Sequence, residues 1–251
     1  MLWVFLLINV WLCSGAYGQV RVYMIHLNGS AAADKVTGFL NDYVAAVMAQ
    51  ANLTYTVTQQ PDSRYGALQA DGTWNGLVGS LVNKSADIVA ADLTITSIRD
   101  TVIDFTDPYT PVHLRVVINI NASSADGLKY LVTKDSSDQI FIQSSKEPKI
   151  QAIWANIQAN NGFVDNYQVG LDKVLSGGYA LIMESVAGGA FNAANPGVAK
   201  ITDDVLWETY YAFGVQQGSP LRLQLSRVIE KLNAIGTTQT LFAKWGLTDR
   251  L

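Results

Sequence analysis

The sequence is poor in the residues that build covalent or metal-dependent sites. It contains one cysteine, Cys13, and two histidines, His26 and His113, in 251 residues. It has no zinc-ligand spacing, no phosphate-binding loop and no nucleophile elbow. We therefore expect no metal and no cofactor, and catalysis is left only to carboxylates such as Glu184. We predict that the protein is not an enzyme.

Charged side chains are also few, at 15% of the residues, and the formal net charge is −4 with a sequence pI near 5.1. Binding to nucleic acid needs a basic surface that neutralises successive phosphates, so nucleic acid is excluded as a partner. Anionic membrane surfaces are disfavoured for the same reason. Hydrophobic residues make up 49% of the chain, which is enough for one large or two small globular domains.

A long apolar run occurs only in residues 1–18, where it is followed by small residues. With Ala16 and Gly18 at the small positions before a cut, this pattern is typical of a secretory signal peptide. A buried first strand or a membrane anchor remains the alternative, although the run is short for a bilayer span. Because Cys13 lies in this segment, the processed chain would have no cysteine and no disulfide.

Four acceptor sequences for N-glycosylation agree with secretion, at Asn28, Asn52, Asn83 and Asn121. Together with the signal peptide, they favour a eukaryotic secretory route over a bacterial periplasm. The predicted location is therefore extracellular. A core of this size, rather than cross-links, would then supply the stability.

The chain begins with an α/β pattern. Residues 20–25 alternate as a strand, residues 38–49 have helical spacing, and residues 53–57 form a second strand. This order predicts two parallel strands joined by a crossover helix, and hence a layered α/β domain. A short helix at 74–82 and a buried strand at 86–90 extend the same alternation.

A strand at 114–120 opens a second α/β region, and the polar, small-residue segment at 121–127 that follows it is interpreted as a loop or a splice point. Downstream, the apolar triplet at 140–142, helices at 149–158 and 171–175, and a strand at 179–183 repeat the alternation. A strand at 210–215 and a helix at 220–232 close the chain. No internal repeat is visible.

Two segments of the first region carry a family resemblance. They are RYGALQADGTWNGLVG at 64–79 and ADIVAADLTITSIRDTVIDFTDPY at 86–109. The pair resembles the first ligand-binding segment of ionotropic glutamate receptors, and weaker similarity continues through 143–146, 181–185, 213–215 and 244–246. The resemblance implies a bilobed clamshell of the type II periplasmic-binding-protein kind.

The resemblance also implies how the clamshell is divided. Residues 19–112 and 214–251 would form the first lobe, and residues 113–213 the second, inserted lobe. The channel helices of the family would fall near 119–127 and are not present there, so we expect an excised soluble form or a natural secreted relative. The parent receptor would sit in the plasma membrane, with this domain outside, and by resemblance would be a tetramer.

A zwitterionic amino acid needs a cation for its carboxylate and an anion for its ammonium. Arg99 offers a planar two-pronged donor, and it matches the carboxylate-binding arginine of the family. An exposed ion pair with Asp100 or Asp104 is the alternative for Arg99. Glu184 ends an apolar strand, where a carboxylate is costly to bury without a partner, and it matches the acid that binds the α-ammonium. A capping or surface role is its alternative.

The resemblance implies further contacts in the first lobe. Thr94 aligns with a threonine that joins both head-group contacts, and Tyr65 with an aromatic residue that covers the ligand. Tyr65 can equally serve the core. Asp92 replaces the usual proline before Leu93 and adds an acid near the ammonium region.

In the second lobe we expect Ser144 and Ser145 to precede a helix that begins near Lys146, so that free N–H groups face the ligand. Lys146 takes the place of a threonine found in many glutamate-binding members, and Phe213 the place of a tyrosine. Lys146 can pair with a distal carboxylate, which favours glutamate or aspartate, or point to solvent and leave room for glycine or serine.

The predicted function is that of an extracellular amino-acid-binding domain of a ligand-gated channel, with glutamate favoured as the agonist. A receptor domain for glycine or another small amino acid is the first alternative. A solute-binding protein for amino-acid transport is the second. Ligand contacts on both lobes would stabilise the closed clamshell and so drive gating.

Overall fold

The computed structural model describes residues 19–25, 31–62 and 64–247. The predicted signal peptide with Cys13, and also His26 and Asn28, lie outside the described residues. The helices and strands of the described part are β1 Val20–Met24, α1 Ala31–Ala51, β2 Tyr55–Gln59, α2 Gly76–Val82, β3 Ile88–Thr94, α3 Ser97–Asp100, β4 Ile103–Phe105, β5 Thr110–Asn119, β6 Lys129–Thr133, α4 Ser137–Ser144, α5 Pro148–Ala159, β7 Phe163–Val164, α6 Tyr167–Ser176, β8 Tyr179–Glu184, α7 Ser185–Ala194, β9 Ala199–Ile201, β10 Trp207–Gln216, α8 Leu221–Ala234 and α9 Thr237–Trp245.

The strands form one mixed sheet in the order β2-β1-β3-β10-β5-β8-β6-β7, with β4 paired to β10 and β9 to β5. β1 and β2 are parallel, with Val20 opposite Tyr55 and Met24 opposite Gln59, and α1 is the crossover between them. This arrangement confirms the predicted mixed α/β class and the opening β-α-β unit.

The sheet carries two groups of elements, which we call the first lobe and the second lobe. The first lobe contains β1 to β4, α1 to α3, α8 and α9, and the second contains β6 to β9 and α4 to α7. The long strands β5 and β10 join them: β10 pairs with β3 and β4 through its last residues and with β5 through its first. Such an arrangement is consistent with a bilobed clamshell.

Apolar side chains are buried between these layers in both lobes. One apolar cluster also joins the lobes, because Val186 and Ala190 of α7 lie in the same buried group as Val36 and Leu40 of α1. The two groups of elements are therefore joined by apolar packing as well as by polar contacts.

Two helices differ from the sequence-based expectation. α1 begins at Ala31, seven residues before the predicted start at Gly38, and the apolar triplet at 140–142 lies inside α4. The start of α4 is fixed by a reciprocal cap: the Ser136 hydroxyl accepts from the Gln139 N–H at 3.1 Å, and Gln139 Oε1 accepts from the Asp135 N–H at 3.0 Å. Within the described residues, no helix is long and apolar enough to cross a membrane.

Candidate functional site

Arg99 is placed by a single helical turn that follows β3. The hydroxyl of Thr96 caps α3 by accepting from the Arg99 N–H at 3.3 Å, and this turns the side chain inward. Arg99 is only 1% exposed. The predicted alternative of an exposed ion pair with Asp100 or Asp104 is therefore wrong.

Backbone carbonyls hold the Arg99 guanidinium. Nη1 donates to the Thr94 carbonyl at 2.9 Å, while Nε and Nη2 donate to the Gly66 carbonyl at 3.3 and 3.2 Å. Gly66 has φ of +127°, and an added Cβ would lie 2.5 Å from the Cβ of Val78, so glycine is required where its carbonyl faces Arg99. These bonds use three of the five guanidinium N–H groups and leave two for a carboxylate.

Burial lowers the pKa of Arg99 to about 10, and the negative charge of Glu184 opposes part of that shift. The guanidinium is therefore still charged at neutral pH. A buried cation with two N–H groups to spare is a strong site for a carboxylate.

Thr94, at the end of β3, connects the two lobes. Its hydroxyl donates to Glu184 Oε1 at 2.6 Å, and it accepts from the Ser137 hydroxyl at 3.2 Å. Thr94 and Glu184 are 2% and 7% exposed. The threonine thus touches the arginine through its carbonyl and the acid of the opposite lobe through its hydroxyl.

Glu184 lies at the junction of β8 and α7 and accepts a hydrogen bond from a second hydroxyl, besides that of Thr94. Tyr211 of β10 donates to Glu184 Oε2 at 2.7 Å. Burial and, to a smaller extent, the negative charge of Asp138 raise the pKa of Glu184 to about 8, while the hydroxyls of Thr94 and Tyr211 oppose this shift. A carboxylate with a raised pKa gains from any ammonium that binds beside it.

The first turn of α4 brings a second acid into this region. Asp138 is fully buried, and its Oδ2 accepts from the Tyr167 hydroxyl at 2.8 Å. The same hydroxyl accepts from the Glu184 N–H at 3.4 Å, so Tyr167 connects the starts of α4 and α7. Burial raises the pKa of Asp138 to about 6, although the Tyr167 hydroxyl and the charge of Arg99 lower it.

Tyr65 and Asp92 pair with each other in the first lobe. The Tyr65 hydroxyl donates to Asp92 Oδ1 at 2.7 Å, while the ring is half-buried against the apolar cluster around Leu77 and Leu93. Burial raises the pKa of Asp92, which the Tyr65 hydroxyl partly offsets. Tyr65 thus combines core packing with a polar contact at the cleft.

The structure brings together Arg99, Thr94, Glu184, Tyr65 and Asp92 of the predicted set. It does not bring Ser144, Ser145 or Lys146 to them. These three lie at the end of α4, about 12 Å along the helix axis from Ser137, and the following helix begins at Pro148 rather than near Lys146. Ser144 and Lys146 are exposed.

Phe213 also lies away from the acids. It is fully buried in an aromatic cluster, with its ring centroid 5.8 Å from those of Tyr43 and Tyr109. The tyrosine that reaches the site is Tyr211, two positions earlier on the same face of β10.

Sequence reasoning missed Ser137, Asp138, Tyr167 and Tyr211. The capping signal of Ser136 and Gln139 before an apolar run predicts a helix start at 136–139, and it would have placed Ser137 and Asp138 at the cleft. The alternation of Tyr211, Phe213 and Val215 marks one buried face of a strand. No comparable signal marks Tyr167. In the part of the chain that is described, no group of His, Cys, Asp or Glu side chains could hold a metal ion.

Comparison with known proteins supports the same class of site. Residues 19–122 match the family model described as "Ligated ion channel L-glutamate- and glycine-binding site". This range contains Arg99, Thr94, Tyr65 and Asp92. The family is one of ligand-gated channel receptors and not a family of enzymes.

Curated relatives agree with the family match. The chain is 40% identical over 103 residues to "Glutamate receptor ionotropic, delta-2" of Homo sapiens, and 39% identical over 103 residues to the protein of that name from Danio rerio; each match covers 41% of this chain and 10% of the relative. It is 28% identical over 181 residues to "Glutamate receptor ionotropic, delta-1" of Mus musculus, which covers 72% of this chain and 16% of that relative. The chain thus corresponds to a small part of each receptor.

These matches confirm the predicted resemblance to the ligand-binding domains of ionotropic glutamate receptors.

Proposed function

We propose that this domain binds a free α-amino acid between its two lobes and serves as the agonist-binding part of a ligand-gated ion channel. The observation that carries the proposal is the placement of Thr94. Its carbonyl accepts from Arg99 at 2.9 Å, and its hydroxyl donates to Glu184 at 2.6 Å. A buried cation and a buried acid of opposite lobes are therefore separated by one residue.

The two charged groups suit the two ends of an amino-acid head group. The two remaining N–H groups of Arg99 can bind the α-carboxylate in a bidentate manner. Glu184, with the Thr94 hydroxyl beside it, can accept from the α-ammonium. Because both side chains are buried, these contacts are made at low dielectric, where charge pairing is strong.

Binding of this kind would shift the clamshell towards closure. The ligand would touch Arg99 on the first lobe and Glu184 on the second, so it would favour the state in which they are close. We place the lobe boundaries at 19–112 with 214–251, and at 113–213, because β5 and β10 pass between the lobes near Val112 and Phe213. In a membrane-embedded parent receptor, by resemblance a tetramer, closure outside the cell would open the channel.

Calorimetric titration of the domain tests the proposal. Glutamate, aspartate, glycine, alanine and serine form the amino-acid panel. Ethylamine and propionate are the matched controls, because each keeps one half of the alanine head group and lacks the other. We expect at least one amino acid to bind saturably, and neither control to bind at the same concentrations.

Two results would contradict the proposal. Equal binding of ethylamine and alanine would show that the carboxylate is not recognised, and therefore that Arg99 has no role in the head-group site. Absence of binding by every amino acid tested, in a sample that unfolds cooperatively, would remove the amino-acid function altogether.

A further inference from the structure

Asp138 is the buried charged group of the cleft that the head-group contacts do not use. It is 0% exposed, at the first turn of α4, and only one of its two carboxylate oxygens is satisfied. Oδ2 accepts from Tyr167 at 2.8 Å, whereas Oδ1 has no hydrogen-bond partner. The neighbouring Ser137 hydroxyl donates to Thr94 at 3.2 Å, and its interaction with Asp138 is the smallest of the causes that act on the pKa of that carboxyl. A buried carboxylate oxygen without a donor is costly, which indicates that a donor comes from outside the chain.

Asp138 lies beside the proposed head-group residues, where it could contact the side chain of a bound amino acid. Its neighbour Ser137 contacts Thr94, and its partner Tyr167 also contacts Glu184, so Asp138 adjoins both head-group residues on the second lobe. The charges of Asp138 and Arg99 act on each other, and that of Asp138 raises the pKa of Glu184. Its electrostatic coupling therefore reaches both ends of the site.

The charge balance of the cleft is negative. Two fully or nearly fully buried acids, Asp138 and Glu184, and the partly buried Asp92 stand against one buried cation, Arg99. A zwitterionic head group adds no net charge, because its carboxylate and its ammonium cancel. In the proposed site the carboxylate binds Arg99 and the ammonium binds Glu184. Asp92 already accepts from Tyr65 at 2.7 Å. Asp138 is left as the acid with an unsatisfied oxygen, and a ligand with a distal carboxylate would place a like charge beside it.

We infer that the ligand is an α-amino acid with a short, positively charged side chain, and that Asp138 binds its side-chain ammonium. This inference rests on the proposed amino-acid function and narrows it. It departs from the preference for glutamate that Lys146 suggested, because Lys146 lies at the far end of α4. Asp138 would therefore determine specificity without contacting the head group.

Competitive calorimetry with three ligands of similar length tests the inference. 2,4-Diaminobutyrate carries a side-chain ammonium, homoserine is its neutral counterpart of equal chain length, and glutamate carries a distal carboxylate. We expect 2,4-diaminobutyrate to bind at least about 10-fold more tightly than homoserine, since hydrogen bonds between charged groups are stronger than those with a neutral partner. Glutamate should bind most weakly, because its distal carboxylate would lie beside the like charge of Asp138.

The matched variant is Asp138→Asn, which keeps the shape of the side chain and an oxygen for Tyr167. The preference for 2,4-diaminobutyrate over homoserine should fall to within about 3-fold in this variant. Persistence of the full preference in Asp138→Asn would overturn the role of Asp138.

The ranking in the unmodified domain also stands as a test if the variant does not fold. Homoserine or glutamate binding as tightly as 2,4-diaminobutyrate would overturn the inference and leave the proposed amino-acid function intact. If none of the three binds, and the panel of five amino acids does not bind either, both the inference and the proposed function are overturned.

Discussion

The two lobes hold their charged groups by different means. In the first lobe, the cation Arg99 is held by backbone carbonyls of Gly66 and Thr94. In the second lobe, the acids Asp138 and Glu184 stand at the starts of α4 and α7, and side-chain hydroxyls hold them. Burial lowers the pKa of the cation and raises those of the acids.

The contacts of the two lobes respond differently to substitution. A carbonyl is present whatever residue supplies it, so the arginine of the first lobe is held as long as the backbone keeps its path. A hydroxyl is removed by one substitution, and acids at the first turn of a helix are also stabilised by its dipole. The first lobe therefore offers a fixed site for a carboxylate, while the acids of the second lobe can be adjusted residue by residue.

The largest effect should come from removing the fixed cation. Arg99→Ala should weaken amino-acid binding by roughly 2–5 kcal/mol, because the ligand carboxylate would be desolvated without a partner. Calorimetric titration at constant ionic strength measures the change.

The control is Arg21→Ala, which removes an exposed arginine that pairs with Asp87 at 2.6 Å, away from the cleft. Its ligand affinity should match that of the unmodified domain. A loss of similar size in both variants would mean that Arg99 acts through the fold and not through the ligand.

The second effect concerns Glu184 of the second lobe and the pH dependence that it gives to stability and to ligand affinity. The pKa of Glu184 is raised from 4.5 to about 8, so the folded, ligand-free domain binds a proton there that the unfolded chain releases. The free energy of unfolding should therefore fall as pH rises between these values. Binding of an ammonium requires the ionised acid, so affinity should rise with pH up to about 8.

Glu184→Gln should weaken binding by roughly 1.5–3 kcal/mol at pH 8 and flatten both pH profiles. Asp138 also titrates here, with a pKa of about 6, while Asp92, Tyr65, Tyr167, Tyr211 and Arg99 are the other ionisable groups of the cleft. Asp138→Asn is the comparison variant: it should remove the change near pH 6 and, because the charge of Asp138 raises the pKa of Glu184, move the remaining rise to a pH below 8. An unchanged profile in Glu184→Gln would contradict the assignment.

A third, smaller effect tests whether apolar packing joins the lobes. Val186 of α7 is 5% exposed and lies in one cluster with α1. Val186→Ala removes two carbons from that contact and should cost about 1–2 kcal/mol of closure. Small-angle scattering of the ligand-free domain should then show a larger radius of gyration.

Val169→Ala, at an exposed position of α6, is the matched control and should leave the radius unchanged. If Val186→Ala lowers the thermal stability without altering the radius, the valine supports the fold and has no part in closure.

The first lobe was far more predictable from the sequence than the second. Periodicity placed β1 and α2 to within two residues, and it placed the start of β3 but ended that strand four residues early. The motif around Arg99 led to the arginine that we propose for the carboxylate, because the residues of that motif follow one another closely along the chain. Glu184 was predicted to lie in the site because a carboxylate at the end of an apolar strand is costly to bury without a partner.

The remaining residues of the second lobe could not be placed in this way. The helix expected near Lys146 is α5, which begins at Pro148, so Ser144 and Ser145 do precede a helix. The preceding helix α4, whose start is set by the cap at Ser136 and Gln139, was not predicted. Tyr167 reaches Asp138 from a separate helix, 29 positions further along the chain, and only tertiary packing brings these two together.

The smallest expected effect is a difference between substitutions at the two ends of α4. Ser137 donates to Thr94 across the lobes at 3.2 Å, whereas the Ser144 hydroxyl donates to the Ile140 carbonyl within α4 at 2.7 Å. Ser137→Ala should therefore cost about 0.5–1.5 kcal/mol of ligand binding, and Ser144→Ala about nothing. Both substitutions remove one hydroxyl from the same helix, so differences in helix propensity cancel. If Ser144→Ala weakened binding and Ser137→Ala did not, the ligand would face the end of α4, and Lys146 rather than Asp138 would lie beside its side chain.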